Sequence, residues 1–438
     1  MDRETLKAGI AREIISPPKG IYQIGYGDRV HGNKGIHDDL TATCLFLTNE
    51  TVSLAWVAVD MLCLNEYIVD QIQNIVGSDI TVLISCSHTH SGPIAYADSS
   101  SPKNNREYIQ FLINQIVKCI QDAQSTQVKA ALTWAEGKAE IAVNRREKKA
   151  DGTVEIGINP DGPIDQSLYT LSVFNEKQER LATLVNFAAH GTVQGPKNLL
   201  ISGDWMGAMR QSLEKTLDSP VLFIQGATAD LNPHHAWEAD EISWLSVKNQ
   251  GQQVAEQVLS AIEKKFEFSN LPFNLSQTEI WIPLETKVKS KTPPKTYRKE
   301  VVKMGGLPRW LSFMTDYLLN KRYPWRSRIE AANGYWSIPL RITAVQIGQI
   351  GVIALNAETF TQIGLTIKEK SPFTFTILAS VSNGCIGYLP TAEAHQEGGY
   401  EVDLAPYSYR YPGRLNKNAA DQVIQTSCDI LQFLKNLN

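Results

Sequence analysis

Ile80-Thr81-Val82-Leu83-Ile84-Ser85-Cys86-Ser87-His88-Thr89-His90-Ser91-Gly92-Pro93 is the stretch from which the rest of the chain can be read. Residues 80–84 are short, uncharged and rich in β-branched side chains, which marks a buried strand. Gly92-Pro93 stops it. Side chains alternate along an extended chain, so His88 and His90 leave the strand end in the same general direction. Imidazole is the commonest metal-ligating side chain, and loops beyond strand ends are where rigid scaffolds hold chemistry. The same residues also describe a polar turn whose histidines bond nearby carbonyls, and the motif alone does not choose.

The composition bounds the answer. The chain has 438 residues, 43% hydrophobic and 20% charged, which is enough apolar material for a large core. A net charge of −4 gives no basic surface for nucleic acid or an anionic membrane. No apolar run is long enough to span a bilayer. The first residues carry no apolar signal region, and Cys44, Cys63, Cys86, Cys119, Cys385 and Cys428 form no CxxC pair. Both features lead us to expect free thiols and a cytoplasmic protein.

Working outward, Leu40–Leu47 and Val52–Val59 read as paired strands, Asn65–Ile75 as a helix and 104–123 as an amphipathic helix. Asp60 ends the second strand, either capping the next helix or orienting a ligand histidine. His31 and His37 read as exposed loop residues. Val128–Trp134 and Ile141–Arg146 read as strands, and 147–165 as a long polar loop. Leu168–Phe174 and Leu181–Ala189 form a hairpin that ends in His190, repeating the arrangement at His88. Ser202-Gly203-Asp204 caps a helix, Pro220–Gly226 is a strand, and 227–235 is a polar turn rich in groups able to bond a ligand. A helix over 244–265 follows, then a strand near Glu279–Pro283. The aromatic segment 306–328 could be a lid, a membrane-touching element or a helix packed on the core; we expect it to line or cover the pocket. Strands at Ile338–Ile347, Gly351–Asn356 and Phe373–Val381 follow. Glu358 heads a helix to about Lys370, Gly398–Glu401 is a flexible loop, and 418–436 is the last helix. With no repeat and no linker, the expectation is an α/β fold of central mixed sheets flanked by helices, one domain over 1–438.

His88, His190, Glu358 and Tyr388 all stand at strand ends. Two neutral imidazoles and a carboxylate are a common zinc set that leaves a position open for water. Zinc lowers the pKa of that water toward ~7 and polarises a substrate carbonyl. Strand-end position is the only warrant for grouping residues so far apart, and it would not by itself single out tyrosine.

The motifs, taken in order, resemble those of the neutral ceramidase family. His88-Thr89-His90-Ser91-Gly92-Pro93 is similar to its Thr-His-Thr-His-Ser-Gly-Pro signature. Gly25-Tyr26-Gly27 resembles its Met-Gly-Tyr-Gly loop, Val143-Asn144-Arg145 its Asn-Arg motif, and Asn186–His190 its Trp-Phe-Ala-x-His. Asn356–Phe360 resembles Pro-Gly-Glu-Phe-Thr, and Asn383–Tyr388 with Pro390–Glu393 and Tyr400-Glu401 resembles its tyrosine-rich blocks. The resemblance spans roughly residues 7 to 402. It implies a catalytic-domain-like fold and one zinc ion held by His88, His190, Glu358 and Tyr388. His90 and Arg145 would sit beside the metal, with Tyr388 as ligand, proton donor or both. Asp60 and Asp230 would orient histidines, and Asn232 and His234 would contact substrate.

Three departures shape the expected activity. The family's Gly-Asp-Val-Ser-Pro-Asn motif stands here as Ala229-Asp230-Leu231-Asn232-Pro233-His234, so its serine is replaced by an amide. The residues after Tyr388 are too few for the family's immunoglobulin-like C-terminal domain, and no secretion signal is visible. The expected activity is zinc-dependent hydrolysis of the C–N amide bond of an N-acyl compound smaller than ceramide, by direct attack of zinc-bound water. A zinc esterase or lactonase, and a non-catalytic binding protein on the same scaffold, are the alternatives.

Overall fold

The computed structural model describes residues 6–27, 29, 31–99, 101–237, 240–268, 271–293 and 327–437. The first half contains β1 (Lys7–Ile14), β2 (Gly35–Ile36), β3 (Thr41–Thr48), β4 (Ser53–Val59), α1 (Glu66–Val76), β5 (Thr81–Cys86) and α2 (Lys103–Ser125). Then come β6 (Val128–Lys138), β7 (Ala142–Lys148), β8 (Val154–Asn159), β9 (Ser167–Asn175), β10 (Arg180–Phe187), β11 (Leu200–Ile201), α3 (Asp204–Leu217), β12 (Val221–Gln225), β13 (Leu231–Pro233) and α4 (Asp240–Ile262). The second half contains β14 (Phe266–Glu267), β15 (Phe273–Lys287), β16 (Glu330–Ala332), β17 (Tyr335–Ile347), β18 (Ile350–Leu355), β19 (Glu358–Thr359) and α5 (Thr361–Lys370). It closes with β20 (Phe375–Ala379), β21 (Tyr388–Leu389), α6 (Ala392–Glu397), a π-helical turn at Tyr400–Leu404, α7 (Ala405–Ser408) and α8 (Ala419–Lys435).

Two mixed sheets pack face to face between helical layers. One runs β12-β10-β9-β6-β1-β3-β4-β5 and the other β15-β17-β18-β20. Alternation explains the layering. Along β3, Cys44 and Phe46 face α1 and α2. Leu45 and Leu47 face the second sheet, where they join Trp56, Leu83, Val345, Val352 and Ile377. Ile342, Ala344 and Ile353 on the far side of that sheet meet Ile363 and Ile367 of α5 and Val423 and Leu431 of α8. Val185 and Phe187 of β10 meet Trp205 and Met209 of α3 and Val254 and Val258 of α4. Sheets covered on both faces need apolar residues at successive positions, which is why these strands read as continuous hydrophobic runs.

Three parallel steps occur within the sheets: β4 to β5, β10 to β12 and β18 to β20. Each is bridged by a helix, α1, α3 and α5 respectively, as a parallel crossover requires. The segment after β20 ties the sheets together. Val381 O accepts from Cys86 N at 3.2 Å, and Asn383 N donates to Ile84 O at 2.8 Å. Ser380 N donates to Gln225 O at 2.9 Å.

The mixed α/β architecture expected from the sequence is present, and most elements fall where the pattern put them. Three local readings are corrected. The "polar loop" 147–165 contains β8, antiparallel to β7, because Val154, Ile156 and Ile158 alternate between the two turn signals. Gly398–Glu401 is not a loose loop: Tyr400–Leu404 form the π turn, with Glu401 buried. Glu358 lies on β19, ahead of the helix that begins at Thr361. The cap of α3 falls within Ser202-Gly203-Asp204 as expected, at Gly203, whose N–H is accepted by Asp38 from a distant loop at 2.8 Å. His31 and His37 are exposed, as expected, and His37 stacks on Trp244 at 3.7 Å. Five of the six thiols are buried and all six are free. No described helix is long and apolar enough to cross a membrane. The aromatic segment 306–328 lies outside the described residues except for Ser327 and Arg328.

Where α2 crosses β1, Gly9 permits the contact: a Cβ there would lie 1.9 Å from the backbone oxygen of Ala123. Backbone cannot rotate away as a side chain can. Gly9→Ala is expected to lower the unfolding free energy by about 1–3 kcal/mol, the usual cost of overpacking. Denaturant midpoints of the two proteins check this, and an unchanged midpoint would contradict it.

Candidate functional site

The groups singled out from the sequence meet at the carboxyl ends of the parallel strands, where open α/β sheets form their clefts. β5 delivers His88, β10 delivers His190, and β18 delivers Glu358 through β19. β19 pairs with β21 in a register that sets Glu358 opposite Tyr388. The two histidine loops touch. Thr89 bridges to Gly191, and His90 N donates to Gly191 O at 2.9 Å.

Backbone carbonyls fix both ligand rings. His88 Nδ1 donates to Leu62 O at 2.7 Å. His190 Nδ1 faces Thr228 O at 2.7 Å and Leu231 O at 2.8 Å. With the proton of each neutral ring on Nδ1, each Nε2 presents a lone pair. Those two Nε2 atoms lie 3.1 Å apart. Glu358 Oε2 lies 3.2 Å from one and 3.7 Å from the other. This oxygen has no hydrogen-bond donor among the described residues, whereas Oε1 accepts from Tyr409 Oη at 2.8 Å.

Three acceptors face one point. A proton on one Nε2 would satisfy one contact; a cation satisfies all three. Ligand atoms placed tetrahedrally at about 2.0–2.1 Å from an ion stand ~3.3 Å from each other. The observed separations bracket that value, so the residues fit a small divalent metal. His90 completes a trio of imidazoles whose ligand atoms all lie within 4.8 Å of one another. Its ring nitrogens are buried and have no hydrogen-bond partner among the described residues, and Tyr26 packs against the ring at 5.0 Å. The sequence reading placed His90 beside the metal rather than on it, and both positions are compatible with this cluster.

The electrostatics suit ligation. Burial, reinforced by Arg145, pushes the His190 pKa down to about 3. Burial and the neighbouring His88 and His190 push His90 well below its usual value, so both rings are neutral at pH 7. Burial first, and Glu358 second, raise the Tyr388 phenol.

Arg145 reaches this cluster from β7. Its Nη1 lies 3.3 Å from His190 Nε2 and donates to Asn232 Oδ1 at 3.4 Å. Nη2 donates to Tyr388 Oη at 3.1 Å. Other expectations are corrected. Asp60 neither caps α1, which Asn65 does, nor touches a histidine. It binds Thr41 N at 2.9 Å and pairs with Arg210, because the buried guanidinium on α3 needs a counter-charge. Asp230 accepts from Thr361 N at 2.8 Å and from Asn144 Nδ2 at 3.1 Å. It braces the turn whose carbonyls hold His190 and does not contact the ring. His234 is exposed, and its N–H donates to Ile141 O at 2.8 Å. Sequence reasoning missed the carbonyls of Leu62, Thr228 and Leu231, which carry no residue signal. It also missed Tyr409, Arg146 and Glu401. Of these, only Glu401 stood in a motif that had already been noticed.

Gly191 generates a prediction. A Cβ there would lie 2.6 Å from Met206 Cε and 2.9 Å from both His88 O and Thr89 Cα. Gly191→Ala is expected to part the two histidine loops and weaken metal retention by about 10–100-fold, as disturbed supporting contacts do. Metal titration of the folded variant measures it, and wild-type affinity would contradict it.

Comparison with known proteins agrees with this geometry. Residues 8–232, just over half of the chain, match the family described as neutral/alkaline non-lysosomal ceramidase, N-terminal. The chain is 23% identical over 261 residues to the neutral ceramidase of Mycobacterium tuberculosis, a match covering 52% of this chain and 40% of that protein. It is 24% identical over 224 residues to neutral ceramidase B of Dictyostelium discoideum, covering 48% and 31%. The chain thus spans less than half the length of these curated relatives. Among solved structures, neutral ceramidase from Pseudomonas aeruginosa superposes with a TM-score of 0.73 at 17% identity, over 99% of this chain and 75% of that one. A ceramidase complexed with C2 gives 0.74 at 16%, over 99% and 76%. At such identities the structural likeness speaks for the fold, while the matched motifs, in their order along the chain, speak for common descent. The chain belongs to the neutral/alkaline non-lysosomal ceramidase family.

Proposed function

We propose that this chain is a zinc-dependent amidohydrolase that cleaves the C–N bond of an N-acyl compound smaller than ceramide. The observation that carries the reading is the convergence of His88 Nε2, His190 Nε2 and Glu358 Oε2, at 3.1–3.7 Å, with no donor to Glu358 Oε2 among the described residues. The donor set of two imidazoles and one carboxylate suits zinc, with Tyr388 as a further ligand or a proton donor. Zinc, when bound, supplies an activated water and a Lewis acid for the carbonyl.

The chain's own residues do the rest. Arg145 turns its Nη1 and Nη2 edge toward His190 and Tyr388, where a charge developing on the carbonyl oxygen would be held. His90, neutral and with no hydrogen-bond partner for either ring nitrogen among the described residues, takes a proton from the attacking water and passes it to the leaving nitrogen. Asn232 cannot act as a nucleophile; its Oδ1 accepts from Arg145 instead, which favours direct hydrolysis over an acyl-enzyme. His88, His190, Arg145, Glu358 and Tyr388 are each at least nine-tenths buried. Such depth keeps the reacting groups away from bulk water. The ligands span residues 88 to 388, so we take 1–438 as one catalytic unit. Five buried free thiols support a reducing, cytosolic setting.

The test is metal analysis of the purified protein, followed by rates on a panel of N-acyl amides with matched esters and a long-chain ceramide. We expect one zinc per chain and turnover of short acyl amides above that of ceramide. His88→Ala should fold, lose zinc and lose more than ~100-fold in rate. Arg145→Met should keep zinc and lose about 10²–10³ in kcat, the cost of one oxyanion donor. Full activity in His88→Ala would overturn the reading. Preference for the ester of a matched pair would move it to an esterase.

A further inference from the structure

Arg145 and Arg146 are consecutive on β7, so regular pleating would send them to opposite faces. Both nevertheless grip one carboxylate. Arg145 Nε donates to Glu401 Oε1 at 2.9 Å, and Arg146 Nη1 donates to Glu401 Oε2 at 2.8 Å. The pairing of β7 with β8 explains how. Its register slips between Asn144 and Arg146, opposite Asn159 and Ile156, so β8 carries the extra residue of a bulge beside Arg145, where the local twist increases. On the other side, Glu401 rides on the π turn that follows Gly398 and Gly399, both at positive φ (71° and 96°). A Cβ on Gly399 would stand 3.1 Å from Val154 O and 3.3 Å from Arg146 Nη1. Two irregular segments therefore close on one buried carboxylate, whose side chain is 1% exposed.

We propose that Glu401 is the positioning residue for Arg145, and that it keeps the guanidinium off the metal-binding carboxylate Glu358. Arg145 lies among two buried carboxylates, Glu358 and Glu401, and both act on its charge. Glu401 binds the Nε edge, which leaves Nη1 and Nη2 for Asn232, His190 and Tyr388. Released from Glu401, the same cation would pair with Glu358 and compete with the metal for its free oxygen. Arg146 balances the second oxygen of Glu401, anchored in turn by Gly398 O at 2.8 Å and Glu397 at 3.3 Å. The amide of a glutamine at 401 could accept from only one of the two arginines.

This inference rests on the metal reading above, and the experiment separates the two. Zinc affinity is measured by competition with a chelator for the wild type, Glu401→Gln, Arg145→Met and the double variant. Glu401→Gln is expected to weaken zinc binding by ~10–100-fold, in the range of lost supporting contacts. Adding Arg145→Met should restore affinity to within about threefold of Arg145→Met alone, a coupling that a merely structural role would not produce. Should Glu401→Gln fail to fold, Glu401→Asp carries the same pair of measurements, since it keeps the charge but withdraws it from Arg145. Wild-type affinity in the single variant, or no recovery in the double, overturns the proposal. So does a failure of both replacements to fold, which would make Glu401 a support of the core. A wild-type protein that binds no zinc overturns the metal reading itself.

Discussion

Two imidazole lone pairs and a carboxylate oxygen are forced to face each other, and the structure around them depends on that unfavourable convergence. Lone pairs at such separations repel unless a positive charge lies between them. What holds them there is not the side chains themselves. The carbonyls of Leu62, Thr228 and Leu231 take the Nδ1 protons and so fix which ring nitrogens turn inward. The fold's first task is to bring those three carbonyls to the same place, and it does so with turns that follow β4 and β12.

The parallel steps accomplish this. Each helical crossover returns the chain so that the carboxyl ends of adjacent strands lie side by side, and loops from both sheets open toward a shared cleft. The antiparallel strands between them contribute core rather than chemistry. Two further groups of opposite charge are buried. Arg210 with Asp60 joins α3 to the end of β4, and Arg145 with Glu401 and Arg146 joins β7 to the π turn. Breaking one member of either group would leave a charge without a partner in a buried environment.

The sequence made some of this plain and hid the rest for physical reasons. Strands such as 80–84 and 338–347 are legible because both faces are buried and the apolar run is continuous. His88, His190 and Glu358 were legible as strand-end groups, though only the ordered motifs supplied a reason to unite them with Tyr388. β8 was hidden because its alternation is short and framed by turn signals, and the π turn because paired glycines read as looseness when here they allow close approach. Asp60 misled, since a carboxylate at a strand end suits a histidine and an arginine equally well. The partners of a charge lie 150 or 256 residues away in these cases, beyond any local pattern.

Asn383 shows how much one side chain can do at the rim of a sheet. Its amide accepts from Ile84 N at 2.8 Å and donates to Val82 O at 3.0 Å, while its own N–H reaches Ile84 O. β5 is the last strand of its sheet, and an apolar terminal strand with open N–H and C=O groups invites pairing with another molecule. Here the amide poses as a missing neighbour. Until this residue docks, β5 carries an unpaired apolar border, so the protection of that edge depends on a side chain 299 positions further along the chain.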